Sequence, residues 1–360
     1  MSYISSIFCQ VPEHKHQQSD IIDFMQTFYQ LDADTLRKTK WVYKKSGINF
    51  RYSVLPDFNK DKEQILFKTN SFKEIDIAKR LEIYNSEALI LAKKLIANYP
   101  ISVLEKVTHL ITISCTGIAA PGLELALKSL FVPQASQRAI NFMGCYAAVH
   151  GIKQGFEISN TYKDALVLLV DIELCTLHFQ YNTLPDLINS AMIFGDGGAS
   201  WLIGKNIKSF SSKKIKLKIL GNYNQVLHSE QDKMAWYPSN SGFLMQLSSY
   251  IPELIGDNVL KLVSDAKAYF NIESTTPIKY CIHPGGLKIL DKIAEALNIN
   301  KEGLKSSYTI LENFGNMSSP TVMFVLEDIL KNNDLQKGEK LLLMAFGPGL
   351  SLETTLLIAE

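Results

Sequence analysis

The chain has 360 residues, a length that suits one large domain or two of moderate size. Its 37 basic and 36 acidic residues nearly cancel, so we expect no nucleic-acid partner. Its five cysteines are scattered, odd in number and without a CxxC pair, which argues against a disulfide scaffold and against a zinc or other metal site.

The N-terminal third is predicted to contain an early apolar stretch followed by helical segments. Residues 1–16 lack the basic region and apolar core of a secretory signal, and no apolar run approaches the ~18 residues of a membrane span. We therefore expect a cytoplasmic protein with no membrane partner. Helical spacing of apolar residues covers 20–29, 34–43 and 75–98. A basic cluster there is either a solvated helix face or an anchor for the phosphates of an anionic substrate: Arg37, Lys38, Lys40, Lys44, Lys45 and Arg51.

The middle of the chain alternates strands and helices. A strand over 109–114 precedes a loop and a helix over 123–130, and an apolar run then reaches Gly144-Cys145 before a second helix. A strand is predicted over 164–170. The glycine-rich segment 194–198 lies between apolar runs, which predicts a tight turn between neighbouring strands; a nucleotide site is disfavoured because no helix pattern follows.

The second half has a similar alternation. Residues 206–235 are polar and strand-like, and a helix pattern covers 248–266. A strand over 279–282 leads into His283-Pro284-Gly285-Gly286 and a helix over 287–297. A further helix is predicted over 321–330, and the chain ends in strands on either side of Phe346-Gly347-Pro348-Gly349.

The order of these segments repeats, and such self-similarity indicates a duplicated fold. Three pairs match in the same order: the loops at 115–117 and 283–286, the loop-to-helix segments at 141–145 and 313–317, and the apolar-flanked segments at 194–197 and 346–349. Strands alternating with helices indicate α/β layers. We predict two duplicated α/β halves packed together, residues 1–205 with Cys145 and residues 206–360 with His283 and Asn316.

If the halves pack about a pseudo-twofold axis, Cys145, His283 and Asn316 converge on one cavity. The histidine can accept the thiol proton and leave a thiolate suited to attack a thioester or amide carbonyl. The neutral Asn316 amide, with a histidine N–H, can stabilise an oxyanion or enolate. Taken singly, Cys145 could be a buried apolar residue, His283 a capping residue and Asn316 a turn residue.

These segments together resemble the thiolase-fold condensing enzymes, most closely the bacterial type III polyketide synthases of the chalcone-synthase-like family. Four motifs carry the resemblance over nearly the whole chain: Gly144-Cys145 before a helix, His283-Pro284-Gly285-Gly286, Gly315-Asn316-Met317-Ser318-Ser319 and Phe346-Gly347-Pro348-Gly349-Leu350. It implies a thiolase-like fold with αβαβα layers, a homodimer, and acyl-CoA and malonyl-CoA as substrates without a cofactor.

The resemblance also implies residue roles. Cys145 would carry the starter and the growing polyketide as thioesters, while His283 and Asn316 would bind the malonyl-CoA carbonyl and stabilise the enolate left by decarboxylation. That enolate would attack the acyl-Cys145 carbonyl, and the chain would reload for further rounds. Cyclisation would give a pyrone or a resorcinol- or phloroglucinol-type product.

Several further positions are implied as substrate contacts. Phe194 keeps the aromatic gate, Met245 replaces its usual aromatic partner, Cys175 and His178 replace threonines of chalcone synthases, Ala120 replaces a methionine that reaches across the dimer, and Ser318 lies in the asparagine motif. This set implies an aliphatic starter, although Met245 could equally be a packing residue. Lys38 and Lys45 match CoA contacts, Trp41 stands where arginine is common, and Gly285 and Gly286 would line the pantetheine entry.

Three other functions remain open on sequence grounds. The first is a single-step ketosynthase that uses a carrier-bound malonyl group; Pro348 and the Met-Ser-Ser after Asn316 disfavour it. The second is a Cys-His-Asn hydrolase, which has no need of duplicated halves. The third is a catalytically silent homologue, which would typically have lost one of the three residues.

Overall fold

A computed structural model describes residues 1–68, 75–180, 185–205, 216–230, 233–332 and 334–360. Its strands are β1 (Tyr3–Gln10), β2 (His14–Gln17), β3 (Phe50–Ser53), β4 (His109–Ser114), β5 (Ser136–Asn141), β6 (Leu166–Leu174), β7 (Asp196–Gly204), β8 (Leu217–Val226), β9 (Met234–Ser239), β10 (Gly242–Leu247), β11 (Lys279–Ile282), β12 (Lys340–Gly347) and β13 (Ser351–Ala359).

The helices of the same residues are α1 (Gln18–Tyr29), α2 (Ala33–Lys44), α3 (Ile77–Ile96), α4 (Ile101–Leu104), α5 (Leu123–Phe131), α6 (Ala147–Thr161), α7 (Pro185–Ile193), α8 (Ile251–Tyr269), α9 (Leu287–Ala296), α10 (Lys305–Phe314) and α11 (Thr321–Lys331). None of the helices in these described ranges is both long and apolar enough to cross a membrane.

The largest sheet shows the duplication directly. Nine strands of the described residues run in the order β5-β4-β6-β7-β1-β8-β13-β12-β11. On one side of the β1–β8 junction, β4 and β6 are parallel while β6–β7 and β7–β1 are antiparallel. On the other side β11–β12 are parallel while β12–β13 and β13–β8 are antiparallel. The predicted duplicated α/β halves are thus confirmed.

The helices and strands pack in five layers around three hydrophobic cores. The first contains residues of α1, α3, β4 and β6, the second packs α6 and α11 between the strands of both halves, and the third contains residues of α8, α9, β12 and β13. Each outer helix presents one apolar stripe to its sheet, as its helical spacing requires. The central pair α6 and α11 is therefore buried on both sides, and the predicted αβαβα layering is confirmed.

The glycine-rich segment 194–198 differs from its prediction as a turn between strands. Helix α7 precedes it, and Gly197 and Gly198 lie inside β7. A Cβ on Gly197 would lie 2.4 Å from Met317 Sδ, and one on Gly198 would lie 2.6 Å from Ile172 Cδ1. These glycines allow close packing of β7, whereas the matching segment around Phe346 is a true hairpin between β12 and β13.

Arg51 does not belong to the exposed basic cluster, because its buried guanidinium donates to Gln18 Oε1 and to the carbonyls of Ala191 and Phe194.

The predicted polar, strand-like stretch 206–235 is only partly described: β8 and β9 begin within it, while residues 206–215 and 231–232 lie outside the described residues. The division at 205/206 therefore stays a prediction.

Candidate active site

A tight backbone turn places Cys145 just before helix α6. Strand β5 ends at Asn141, and Gly144 has a φ of 76°, in the left-handed region that favours glycine. A Cβ on Gly144 would lie 2.6 Å from Pro348 Cδ in the turn between β12 and β13. The chain can therefore bring Cys145 to the junction of the two halves only because residue 144 lacks a side chain. The N-terminus of α6 favours a negative charge at the thiol.

His283 and Asn316 come from loops of the second half. His283 follows β11, and its backbone N–H donates to the carbonyl of Met344 at 2.8 Å. Its ring is buried, and neither ring nitrogen has a hydrogen-bond partner within the described part of the chain. Asn316 is fixed on both sides of its peptide: its N–H donates to the Ile193 carbonyl at 2.8 Å, and its carbonyl accepts from Gly195 at 3.0 Å.

The Asn316 side chain is held in one orientation. Its Oδ1 accepts from the Ser318 backbone N–H at 2.8 Å, and its Nδ2 donates to the Gly285 carbonyl at 3.3 Å. An amide nitrogen carries two hydrogens, so one N–H remains for a ligand. The neutral imidazole of His283 has one N–H, and this N–H and the remaining Asn316 N–H are the donors that the arrangement offers to a bound carbonyl oxygen.

One cavity joins these three side chains. It holds about 890 Å³ of empty space, including its open mouth. Most of its lining is apolar, with polar groups concentrated around Cys145, as in many small-molecule sites. The lining residues are Cys115, Thr116, Gly144, Cys145, Cys175, His178, Phe179, Gln180, Leu187, Ser190, Ala191, Ile193, Phe194, Met234, Trp236, Phe243, Met245, Leu247, Ile255, His283, Gly285, Ile289, Asn316, Ser318, Phe346 and Pro348.

Burial controls the protonation of the two reactive groups. It raises the pKa of Cys145 to about 12, against hydrogen bonds to Ser318 and Asn316 that lower it, and it lowers the pKa of His283 to about 3. Burial thus penalises either charge alone. A proton passed from the thiol to the imidazole creates both charges together, and their attraction offsets part of that penalty. The pair can then supply a thiolate nucleophile and an imidazole N–H donor.

Phe194, Cys175 and Met245 form the wall beside Cys145. Phe194 and Cys175 pack directly in one buried cluster with Cys145, and Met245 covers it. The Phe194 backbone is held by the buried guanidinium of Arg51. Phe194, which was predicted to be an aromatic gate, therefore lies beside the Cys145 thiol.

His178 is a neutral part of the wall. Burial lowers its pKa to about 3; its Nε2–H donates to the Thr116 carbonyl at 2.7 Å, and its Nδ1 accepts from the Phe243 N–H at 3.2 Å. Its ring stacks on Phe243 with centroids 4.3 Å apart. Both ring nitrogens are engaged, so His178 shapes the cavity and is not free to act as a base.

Four predicted residues lie away from the cavity lining. Ala120 is exposed in the loop between β4 and α5, and Lys38 and Lys45 are exposed on or beside α2. Gly286 follows the lining residue Gly285, and a Cβ on Gly286 would meet no atom within 4 Å.

Sequence reasoning missed Trp236, Phe243 and Glu173 as parts of the site and its support. Trp236 donates its indole N–H to the Cys115 carbonyl at 2.7 Å and lines the cavity with Phe243. Glu173 and Asp171 are fully buried on β6 beneath the site. Two acidic residues inside the apolar run 166–174 were the available signal, because such groups are rarely buried without a specific partner.

Comparisons with known proteins find matches for both halves of the chain. The model of the N-terminal domain of chalcone and stilbene synthases matches residues 2–207, and that of the C-terminal domain matches residues 218–359. A protein of Bacillus subtilis (strain 168) named after chalcone synthase is 29% identical, with 99% of this chain and 98% of the relative covered. An "alpha-pyrone synthesis polyketide synthase-like" protein of Mycobacterium tuberculosis (strain ATCC 25618 / H37Rv) is 27% identical, with 98% and 90% covered.

Two solved structures share the fold. The C-terminal type III polyketide synthase domain of Steely1, a type I/III hybrid from Dictyostelium, aligns with a TM-score of 0.88 at 23% identity over 99% of each chain. A structure named PKS-I, from the brown alga Ectocarpus siliculosus, aligns with a TM-score of 0.88 at 23% identity, covering 100% of this chain and 98% of the other.

Proposed function

The chain belongs to the chalcone and stilbene synthase family, the type III polyketide synthases, and on that premise we propose that it extends a CoA-bound acyl starter iteratively with malonyl-CoA. It is a condensing acyltransferase by family. The main support for the proposed iterative extension is that Cys145, His283 and Asn316 line one largely apolar cavity.

The first step is transfer of the starter to Cys145. His283 takes the thiol proton, and Cys145 Sγ attacks the thioester carbonyl. The oxyanion that forms on the carbonyl oxygen accepts hydrogen bonds from the N–H groups at the site. The carbonyl reforms, the bond to CoA sulfur breaks, and the proton held by His283 leaves with the CoA thiol. Cys145 then bears the acyl group as a thioester.

The second step is decarboxylation of malonyl-CoA. Loss of CO2 leaves an enolate whose oxygen accepts hydrogen bonds from the imidazole of His283 and the free amide N–H of Asn316. Neutral donors suit this step because the carbon–carbon bond that breaks supplies the electron pair and no base is required. The enolate carbon attacks the acyl-Cys145 carbonyl and releases the thiolate. The lengthened chain is then on CoA and can reload.

The lining supports an aliphatic starter. Met245, Leu247, Ile255 and Ile289 present flexible or branched apolar side chains to the cavity. Such side chains can repack around an alkyl chain. We propose that the chain is extended several times and then cyclises to a pyrone or to a resorcinol- or phloroglucinol-type product.

CoA binding is proposed for the C-terminal end of α2. The helix leads into Gly47, where a Cβ would lie 3.0 Å from Leu287, the first residue of α9 after Gly285 and Gly286. The exposed Lys45 ammonium lies 5.3 Å from the centre of the Trp41 ring. Lys45 would offer positive charge to the CoA phosphates near the opening of the cavity, together with Lys38, which lies one helical turn before Trp41.

A homodimer is proposed through the β5 edge of the large sheet. Strand β5 is exposed at five of its six residues, and such edges invite pairing with another chain. Ile118, Leu125 and Leu130 add exposed apolar surface on the preceding loop and α5. Ala120 lies in the same loop and would face the partner subunit.

Product analysis tests the proposed function. The purified protein is incubated with malonyl-CoA and acyl-CoAs of graded length, and the products are identified by mass spectrometry. Several malonyl additions without a carrier protein support the proposal. One addition that requires a carrier protein would instead assign a single-step ketosynthase, and free acid without chain growth would assign a hydrolase.

A further inference from the structure

A pair of acidic residues lies directly beneath the cavity without lining it. Asp171 and Glu173 are two residues apart on β6, so their side chains share one face of the strand. Both are fully buried, and both approach Ser319, which follows the loop that carries Asn316 and Ser318. The proposed reaction uses neither carboxyl group.

Glu173 has the surroundings of an ionised carboxylate. Both of its oxygens lie 3.0 Å from the backbone N–H of Cys115, and Oε2 accepts from the Thr116 hydroxyl at 2.6 Å and the Ser114 hydroxyl at 3.3 Å. Several converging donors stabilise a negative charge even in a buried position. Glu173 thereby fixes the loop that begins at Cys115.

Asp171 has the opposite surroundings. In the described structure its Oδ2 has no partner, and its Oδ1 lies 2.7 Å from Ser319 Oγ. Ser319 Oγ is also 3.1 Å from Glu173 Oε1. A hydroxyl group has one hydrogen and can donate to only one of two carboxyl groups. For the second contact to be a hydrogen bond as well, one carboxyl group must carry a proton and donate it to Ser319 Oγ.

We propose that Asp171 is a positioning residue that holds this proton: Asp171 Oδ1–H donates to Ser319 Oγ, and Ser319 Oγ–H donates to the Glu173 carboxylate. The acid pair then carries one negative charge, which lies on Glu173. Every hydrogen in this chain has one donor and one acceptor.

The surrounding groups agree with that assignment. Burial raises the pKa of both carboxyl groups, but hydrogen bonds from Thr116 and Cys115 lower that of Glu173, whereas the neighbouring charge of Glu173 raises the pKa of Asp171 further, well above its usual range. The Cys9 thiol of β1 and the Tyr84 phenol of α3 also interact with Asp171, and burial raises the pKa of each. Neither supplies a positive charge that would stabilise a second carboxylate.

The chain of hydrogen bonds supports the reactive loop. Ser318 has a φ of 59°, a left-handed conformation that costs a non-glycine residue energy. Its N–H holds Asn316 Oδ1, and its hydroxyl lies 3.4 Å from Cys115 Sγ. Ser319 anchors the far end of this strained residue to Glu173. If Asp171 lost its proton, two carboxylates would face the single Ser319 hydroxyl and repel each other. The loop that carries Ser318 and Asn316 would then lose this anchor.

Infrared spectroscopy locates the proton without an activity measurement. The whole protein is measured at about pH 8, where Asp196, whose pKa burial raises to about 6, is ionised. Carbon-13 is placed in the side-chain carboxyl groups of aspartate in one sample and of glutamate in another. We expect a protonated-carboxyl band that shifts with the aspartate label and is absent from Asp171→Asn. No such band, or a band that shifts only with the glutamate label, would overturn the assignment.

The positioning role is tested with Ser319→Ala, and this arm rests on the proposed function. We expect malonyl-CoA decarboxylation to fall by about tenfold to a hundredfold, as small displacements of catalytic groups typically cause, while the near-ultraviolet circular dichroism spectrum is retained. Unchanged decarboxylation would refute the role of Ser319. If the wild-type protein itself released no CO2, the polyketide proposal would fail, and the infrared result would still decide where the proton lies.

Discussion

Gly144→Ala tests whether the turn before Cys145 needs glycine, and Gly338→Ala provides a matched control. Both glycines have left-handed φ angles, 76° and 88°. An alanine in that region costs roughly 1–2 kcal/mol at either site. At Gly338 a new Cβ meets no atom within 4 Å, so the backbone conformation alone lowers the stability of that variant.

At Gly144 a steric overlap adds a second loss of stability. The new Cβ would lie 2.6 Å from Pro348 Cδ, more than 1 Å closer than a typical carbon–carbon contact of about 3.8 Å. Overpacking of this kind costs about 1–3 kcal/mol. We therefore expect Gly144→Ala to lower the free energy of unfolding by about 2–5 kcal/mol, against about 1–2 kcal/mol for Gly338→Ala.

Urea unfolding followed by circular dichroism measures both losses, and the rate of starter loading measures the displacement of Cys145. We expect loading to slow by about tenfold or more in Gly144→Ala only. Equal stability losses in the two variants, together with normal loading in Gly144→Ala, would refute the steric account of the turn.

Four other predictions follow from the site. Cys145→Ala should abolish starter loading, and an acyl-enzyme retained by that variant would contradict its role. Asn316→Ala should slow CO2 release from malonyl-CoA by about 100–1,000-fold through loss of an enolate donor, with a much smaller effect on loading; an equal loss in both steps would count against this role. Lys38→Ala with Lys45→Ala should raise KM for acyl-CoA but not for an acyl thioester of N-acetylcysteamine, which lacks the nucleotide; an unchanged ratio would contradict the phosphate contacts. Burial and Glu173 raise the folded-state pKa of Asp171, so the native state keeps a proton that the unfolded chain releases above about pH 4, and stability falls as the pH rises from there to the folded-state pKa. Asp171→Asn should remove a slope of about 1.4 kcal/mol per pH unit from urea unfolding measured across that range, and parallel curves for the two proteins would exclude it.

The sequence predicted the duplicated fold well because each helix and strand carries its own pattern. The predicted strand over 279–282 has the observed bounds of β11, and the predicted helix over 321–330 ends one residue before α11 does. Helical and strand periodicities are local properties, and they survive packing when one face of each element is buried. The repeated order of these elements then indicated the two halves.

Prediction failed where a residue's role depends on a distant neighbour. The glycines at 197 and 198 were interpreted as a turn, but they are small because Met317 and Ile172 pack against β7. Arg51 was placed with the exposed lysines, yet it is buried where it can satisfy the carbonyls of Ala191 and Phe194. Local pattern contains no information about such long-range contacts.

The residues of the candidate site were likewise predicted only in part. Cys145, His283 and Asn316 were found because each follows a strand or precedes a helix in a repeated loop, and the fold brings those loops to one cavity. Trp236 and Phe243 were missed because β9 and β10 form a separate two-stranded sheet that lies outside the three pairs of segments that revealed the repeat. Their place in the wall depends on how that sheet folds over the cavity.

The central claim is that Cys145 holds a growing chain inside this cavity. Intact-protein mass spectrometry of the enzyme, quenched during turnover with an acyl-CoA and malonyl-CoA, tests it most directly. We predict adducts on Cys145 that correspond to the starter and to the starter lengthened by successive ketide units. A starter adduct that never lengthens, or adducts that map to another residue, would contradict the account.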